Sequence, residues 1–249
     1  MKIKISILII FFTGFSIIVF SQSESNIDGN ILLRRERSGS INIHSSGWGF
    51  GYRTGKFING FKKRMIEFEF VTMKHPKEIK TANPYFENSR SYFYGKLNNL
   101  YLGRVGYGIQ KVINNKPYWG GAEVRFFYYG GASLGFVKPV YLYIINESSS
   151  FYEILLTVEK YNPDKHQIQD IYGKGPFGKG IDKMKLYVGA YAKVGLNFEY
   201  GDWNESLKAL EAGIILDYYP KAIPIMAYNN DINLFLSFYV SFNFGKRFN

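Results

Sequence analysis

Three features of the sequence predict an all-β chain, closed into a transmembrane antiparallel up-and-down β-barrel of about eight strands with long extracellular loops. Segment after segment alternates large apolar with polar side chains, the period-two signature of a strand whose two faces meet different surroundings. The N-terminus carries an export pattern, and no later stretch is apolar for long enough to form a spanning helix. A membrane-resident mature chain would then have to cross as a closed barrel, which satisfies every backbone group in lipid. The connections between predicted strands also sort into a short set and a long set on opposite sides, as in outer-membrane barrels. Composition agrees, since 21 Tyr, 22 Phe and 26 Gly in 249 residues suit strands and turns better than helices.

At the N-terminus, Lys2 and Lys4 precede an apolar run from Ile5 to Phe20, and Val19-Phe20-Ser21 supplies a cleavage pattern before Gln22. This predicts a signal peptide over 1–21 and a mature barrel over 22–249. The chain has no Cys, which excludes disulfides, thiolate metal sites, a catalytic cysteine and a lipoprotein anchor. Its formal charge is +11. In an exported chain that basicity points to the phosphates of surface lipids, with no nucleic-acid partner.

Taken in order, Ile31 to Arg37 reads as a weak first strand, with a turn near Ser38-Gly39-Ser40. Ile41 to Tyr52 reads as a second strand, alternating Trp48, Phe50 and Tyr52 with Gly47, Gly49 and Gly51. Those glycines leave room for large side chains across a narrow barrel or mark a coiled strand. Arg53 to Phe61 is a short connection. Lys62 to Lys74 is a clear strand, with Ile66, Phe68 and Phe70 opposite Glu67 and Glu69 and with Lys62, Lys63 and Arg64 placed to reach an interface.

A long polar segment, His75 to Leu97, leads to strands over Asn98–Gln110 and Gly121–Val137, separated by the turn cluster Asn114-Asn115-Lys116-Pro117. Gly130-Gly131 suggests a kink or bulge. Pro139 to Met184 lacks clean alternation; Val140 to Ile144 prolongs the preceding strand, Tyr152 to Lys160 fits a helix or a strand, and Tyr172 to Gly178 reads as loop. Lys185 to Tyr200 and Leu207 to Tyr218 are strands joined by the turn Gly201-Asp202-Trp203-Asn204, and Pro220 to Asp231 is a loop. The final strand, Leu234 to Phe244, sets Phe238, Phe242 and Phe244 on a lipid face and Ser237, Tyr239 and Ser241 toward the lumen. With that strand running down to the periplasm, the connections at Gly55, Asn114 and Asp202 are periplasmic and those at His75, Pro139 and Pro220 extracellular.

The mid-strand charges Glu67, Glu69, Arg104, Glu123, Arg125, Lys193, Glu199 and Glu211 all lie opposite the apolar rows. The interior of an eight-stranded barrel is just wide enough to be filled by side chains. These residues are therefore expected to pair into a buried plug, which argues against an open channel.

No strong catalytic signal stands beside this. The histidines are His44, His75 and His166; His166 and Asp170 lie four apart in a long loop, with Ser45, Ser46 and Ser149 as candidate nucleophiles, but no spacing ties them together. No metal-ligand run and no ordered phosphate loop occur, so the expectation is no cofactor. Lys74, Lys77, Lys80, Arg90 and Lys96 lie among Tyr85, Phe86, Tyr92 and Phe93, as suits contact with lipopolysaccharide phosphates or an envelope protein.

The signal ending Val19-Phe20-Ser21-Gln22, the closing strand to Phe248, and the stretches Gly47 to Arg53, Met73 to Glu78 and Tyr92 to Asn99 resemble a group of small outer-membrane β-barrel proteins of Bacteroidota-type bacteria. The resemblance implies the fold and the envelope location, and no activity or site residues. The expectation is a non-enzymatic structural or accessory barrel whose extracellular loops contact lipopolysaccharide or a partner envelope protein, within an outer-membrane assembly or secretion machine. The alternative is a surface enzyme acting on lipid A or other envelope substrates, with His166 and Asp170 as its candidates.

Overall fold

A computed structural model describes residues 34–86, 89–115, 121–147, 154–200 and 206–249. The signal peptide predicted over 1–21 lies outside them, as does the Gly201 to Asn204 turn. In chain order the strands are β1 (Arg35–His44), β2 (Gly47–Asn59), β3 (Lys62–Met73), β4 (Lys80–Thr81), β5 (Tyr92–Phe93), β6 (Asn98–Asn114) and β7 (Glu123–Pro139). There follow β8 (Tyr141–Glu147), β9 (Ile154–Lys160), β10 (Ile171–Lys174), β11 (Lys185–Glu199), β12 (Ser206–Ile223) and β13 (Ile232–Phe248). Eight of them close into a barrel in the order β1-β13-β12-β11-β7-β6-β3-β2, every neighbour antiparallel. The closing seam pairs β1 with β13 from Arg35 opposite Phe248 to His44 opposite Tyr239. No helix of the described residues is long and apolar enough to cross a membrane.

The alternation of each strand decides which side meets what. On β13, Phe238 is 59% exposed while its neighbours Ser237 and Tyr239 are 0% and 3% exposed. The same inversion runs round the barrel: Phe50, Phe68, Tyr107, Tyr128, Val188 and Leu216 face outward, and Glu69, Arg104, Lys193 and Asp217 face inward. An apolar wall around a charged interior is unstable in water and stable in lipid. On β12 the outward apolar row runs from Leu210 to Tyr218. Eight steps of about 3.3 Å, tilted by about 40°, span roughly 20 Å, close to the apolar band of such barrels.

All long connections emerge at one end: residues 74–97, 140–184 and 224–231, together with the two-residue hairpin Ser45-Ser46. The opposite end carries the Gly60-Phe61 turn and the remaining shorter connections. Short turns mark the periplasmic end and long loops the extracellular end, which is the predicted direction of the final strand.

Several boundaries differ from the sequence reading. Ser38-Gly39-Ser40 is not a turn but the middle of β1, with Ser38 and Ser40 buried in the lumen; the hairpin turns at Ser45-Ser46 instead. Small polar residues look like a turn only while the polar, enclosed inner face is ignored. Arg53 to Phe61 is not a connection, because β2 continues to Asn59 and brings Arg53 inside. Lys63 likewise points into the lumen rather than to an interface. β12 runs through Pro220 to Ile223 before the last loop begins.

Gly130-Gly131 makes no bulge: β7 keeps an unbroken register there with both neighbours. What Gly131 provides is close approach, since a Cβ at that position would strike the backbone carbonyl of Val105 on β6. Crowding at Gly49 also comes from the adjacent β3, at Phe70 and Val71, and not from across the barrel.

The 140–184 connection is built around a three-stranded sheet of order β10-β8-β9. Val140 to Ile144 does not prolong β7; Tyr141 begins the separate strand β8. The 154–160 stretch is a strand, and the segment read as loop after Tyr172 begins inside β10.

Candidate functional site

The lumen is filled in layers. At its centre Arg53, on β2, donates from Nε to Glu67 Oε2 at 2.5 Å and bidentately to Glu211 at 2.6 and 2.9 Å. Arg104, on β6, forks onto Asp217 at 2.9 and 2.6 Å and reaches Glu69 at 3.3 Å. Lys193, on β11, bridges Glu67 at 3.0 Å and Glu69. Tyr239 donates its hydroxyl to Glu211 at 2.6 Å and Tyr191 to Glu67 at 3.2 Å. Three cations, four carboxylates and two phenols thus satisfy one another in a space closed to solvent, as charges must where unpaired burial would be costly.

Toward the periplasm a second cluster repeats the arrangement. Glu36 accepts from Lys63 at 2.7 Å and from Arg247 at 3.1 Å, and Arg247 also holds Glu199 at 2.5 Å. Lys63, Arg125 and Arg247 each stand 5.6 Å from the centre of the Phe57 ring, whose face favours cations. Toward the outside the polarity stops. Val71, Leu100, Leu102, Val137, Tyr219 and Ile223 form an apolar layer, capped from the last loop by Ile225 and Met226. The lumen is therefore a plug, as the strand charges predicted.

Above the plug the loops tie to one another. The Asn83 side-chain amide faces the carbonyls of Ile168, Gln169 and Ile171 at 3.1, 3.1 and 2.8 Å. Leu97 N–H donates to Ile225 O at 2.9 Å, and Ala227 N–H to Gly95 O at 2.6 Å. The sheet β10-β8-β9 has a core of its own, made by Tyr92, Val140, Leu142, Ile144, Tyr161 and Ile171. Buried among them, the Tyr161 phenol is pushed up to about 12.

Beside this sheet, at the rim of β7 and β11, opens a groove of about 840 Å³. Lys160, Lys165, Lys183 and Lys185 line it, with Tyr141, Tyr161 and Tyr187; Glu159 is the one acid among its lining residues. All four lysines are exposed. Lys183 Nζ lies 6.0 Å from the centre of the Tyr141 ring. Such a groove presents several ammonium groups and aromatic faces to an anionic, partly apolar ligand.

The residues singled out in the sequence disperse. His166 is buried, its Nδ1 accepting the Asn162 N–H at 3.2 Å and its Nε2 3.5 Å from Glu159. Asp170 accepts the Gln167 N–H at 2.9 Å and caps one turn of 3-10 helix. The two therefore serve separate local turns and not each other. His44 stacks on Tyr239 within the lumen, at 5.7 Å between ring centres. Ser45 and Ser46 form the first hairpin, and Ser149 lies outside the described residues. Among the basic loop residues, Lys74, Lys77, Lys80 and Arg90 are exposed, whereas Lys96 is buried against Glu78 at 2.6 Å. Sequence reasoning placed Asp217 on the inner face of its strand, away from the row of Leu210 to Leu216, but left it out of the lumen charges, and it missed Arg53 and the four groove lysines. Continuing the Trp48-Phe50-Tyr52 alternation one residue further would have found Arg53.

His75 accepts the Lys77 N–H at Nδ1 (3.1 Å), while its own N–H donates to Glu78 at 2.9 Å. Burial, reinforced by Lys77 and Lys96 and opposed by Glu78, holds its pKa below the ordinary value. The unfolded loop then binds the extra proton more readily, so local stability present above pH ~6.5 is lost as pH falls through the folded pKa. Hydrogen exchange at the Lys77 amide, corrected for intrinsic rate, should accelerate over that window and lose this dependence in His75→Asn.

No protein-family model matches the chain, and no curated protein sequence does. Among solved structures, the N-terminal β-barrel domain of Pseudomonas aeruginosa OprF aligns at 8% identity over 86% of this chain and 96% of that one, with a TM-score of 0.37. Neisserial surface protein A aligns at 12% identity over 87% and 97%, with a TM-score of 0.40. Ail, the attachment invasion locus protein of Yersinia pestis, aligns at 12% identity over 86% and 97%, also at 0.40. It is the closed strand order and the inverted distribution of side chains that make this chain an integral outer-membrane β-barrel.

Proposed function

We propose that the protein is a non-enzymatic, accessory barrel of the outer membrane whose extracellular groove holds the phosphorylated headgroup of lipopolysaccharide. The observation that carries this reading is the placement of Lys160, Lys165, Lys183 and Lys185 around one groove at the extracellular rim, with tyrosine faces between them. Lipopolysaccharide offers phosphates beside apolar chains at that level. The plugged lumen supports a surface role over transport, and the separation of His166 from Asp170 supports binding over catalysis. The β10-β8-β9 sheet frames the groove, with Tyr141 of β8 and Lys160 of β9 among its lining residues.

The test is lipopolysaccharide retained by the purified full chain in mild detergent. Wild-type protein should carry it, and the combined Lys160→Gln, Lys165→Gln, Lys183→Gln and Lys185→Gln variant should carry at least about tenfold less, at roughly 1 kcal/mol per basic residue near a charged lipid surface. Equal retention by the two would overturn the proposal. Recovery of one stoichiometric envelope protein, lost in the same variant with lipopolysaccharide unaffected, would assign the groove to that partner instead.

A further inference from the structure

The outer wall at the periplasmic end carries a second basic feature. Lys246 on β13 stands directly opposite Arg37 on β1, Arg35 opposite Lys56 on β2, Lys56 opposite Arg64 on β3, and Lys62 opposite Lys111 on β6. All of these share the outward strand face with residues of the apolar wall, such as Ile41, Tyr52, Ile66 and Tyr107. None pairs with a carboxylate among the described residues. The nearby acids Glu36, Glu123 and Glu199 are instead bound to lumen cations. Like charges directly opposite on neighbouring strands destabilise a sheet. Four such pairs in succession therefore call for an anion from outside the chain.

A groove of about 380 Å³ opens at the centre of this belt, lined by Arg35, Arg37, Lys56 and Arg64 together with Ile66, Tyr107 and Phe248. Arg37 lies over the Phe248 ring at 4.9 Å. Ile66 and Tyr107, opposite each other across β3 and β6, continue the groove toward the bilayer centre. Its basic end therefore sits at headgroup level and its apolar end at acyl-chain level. The wall is asymmetric, because the periplasmic ends of β7 and β11 present Val124 and Phe198 outward and no base.

We infer that this groove is a binding site for one anionic glycerophospholipid of the periplasmic leaflet. Its phosphate is held by Arg35, Arg37, Lys56 and Arg64, and an acyl chain lies along Ile66 and Tyr107. The ligand screens the opposed bases and orients the barrel, with one side of its wall committed to anionic lipid. The inference is independent of what the extracellular groove holds.

Native mass spectrometry of the full chain, released from detergent containing phosphatidylglycerol, phosphatidylcholine or lipid A, tests it. Wild-type protein should retain phosphatidylglycerol at least about tenfold over phosphatidylcholine. The combined Arg35→Gln, Arg37→Gln, Lys56→Gln and Arg64→Gln variant should lose that preference, at roughly fivefold per charge. Heat-modifiable migration on gels establishes that the variant is folded; should it not fold, Lys56→Gln with Arg64→Gln supplies the same comparison. The Lys160, Lys165, Lys183 and Lys185 variant should keep the preference, which separates this site from the extracellular one. Equal retention of the two phospholipids by wild type, or an undiminished preference in the groove variant, would overturn the inference. Retention of lipid A over phosphatidylglycerol, abolished by the same variant, would overturn the assignment to a phospholipid.

Discussion

Replacing Arg53 by methionine should cost about 3–5 kcal/mol of barrel stability, the loss expected when one member of a buried ionic network is removed. The guanidinium holds Glu67 at 2.5 Å and both oxygens of Glu211, within 3.8 Å of Glu69 as well. Methionine fills much of the same volume, so the loss is electrostatic: Glu67 and Glu211 are left with one shared cation, Lys193, and with hydrogen bonds from Tyr191, Tyr239 and Asn197 that carry no charge. Arg53→Lys should recover only part, because a single ammonium cannot reproduce the two parallel bonds to Glu211. Urea unfolding from lipid vesicles, followed by tryptophan fluorescence, reads the effect. Arg53→Met combined with Glu211→Leu should be less destabilised than the sum of the two single changes, with a coupling of about 1–3 kcal/mol. A single-variant loss below about 1 kcal/mol would show that the plug does not hold the barrel together.

Gly131→Val should prevent β6 and β7 from pairing. Gly131 stands opposite Gly106 of β6 and Tyr191 of β11, and a Cβ there would strike the Val105 carbonyl and the Gly106 Cα. The obstacle is backbone on a closed barrel, which cannot splay at one strand without breaking the ring. A penalty of at least about 3 kcal/mol follows, the upper range of overpacking. The neighbouring Gly130→Ala is the control: it points outward, and its added Cβ would find nothing nearer than the Tyr191 carbonyl at 3.9 Å. Refolding yield, read as heat-modifiable migration, should collapse for Gly131→Val and stay near wild type for Gly130→Ala. Equal yields would mean that β6 and β7 do not approach as closely as described.

These two adjacent glycines show where the sequence stops being informative. As a dipeptide they suggested a bulge, yet one provides close approach and the other faces outward with space around it. Nothing local distinguishes them, because the atoms that crowd Gly131 belong to a strand whose register is set by the whole ring. The first hairpin was misplaced for a related reason. Ser38-Gly39-Ser40 has turn chemistry, but β13 pairs with it residue by residue and carries it through as strand. The six groups of alternating residues from Lys62 onward survived because period two is a local property, visible in any short window.

By itself the sequence determined, for the strands from Lys62 onward, which rows face lipid and which face the lumen, that the ring has about eight strands, and that the long connections share one end. All three follow from alternation and spacing along the chain. Only the tertiary structure decided the partners. Arg53 meets Glu211 from 158 residues away and Arg104 meets Asp217 from 113. The extracellular sheet, its lysine groove and the opposed bases of the periplasmic belt likewise arise where distant segments are set side by side. The physical reason is that a strand's faces are chosen by its own side chains, whereas its neighbours are chosen by closure of the ring and the shared hydrogen-bond register.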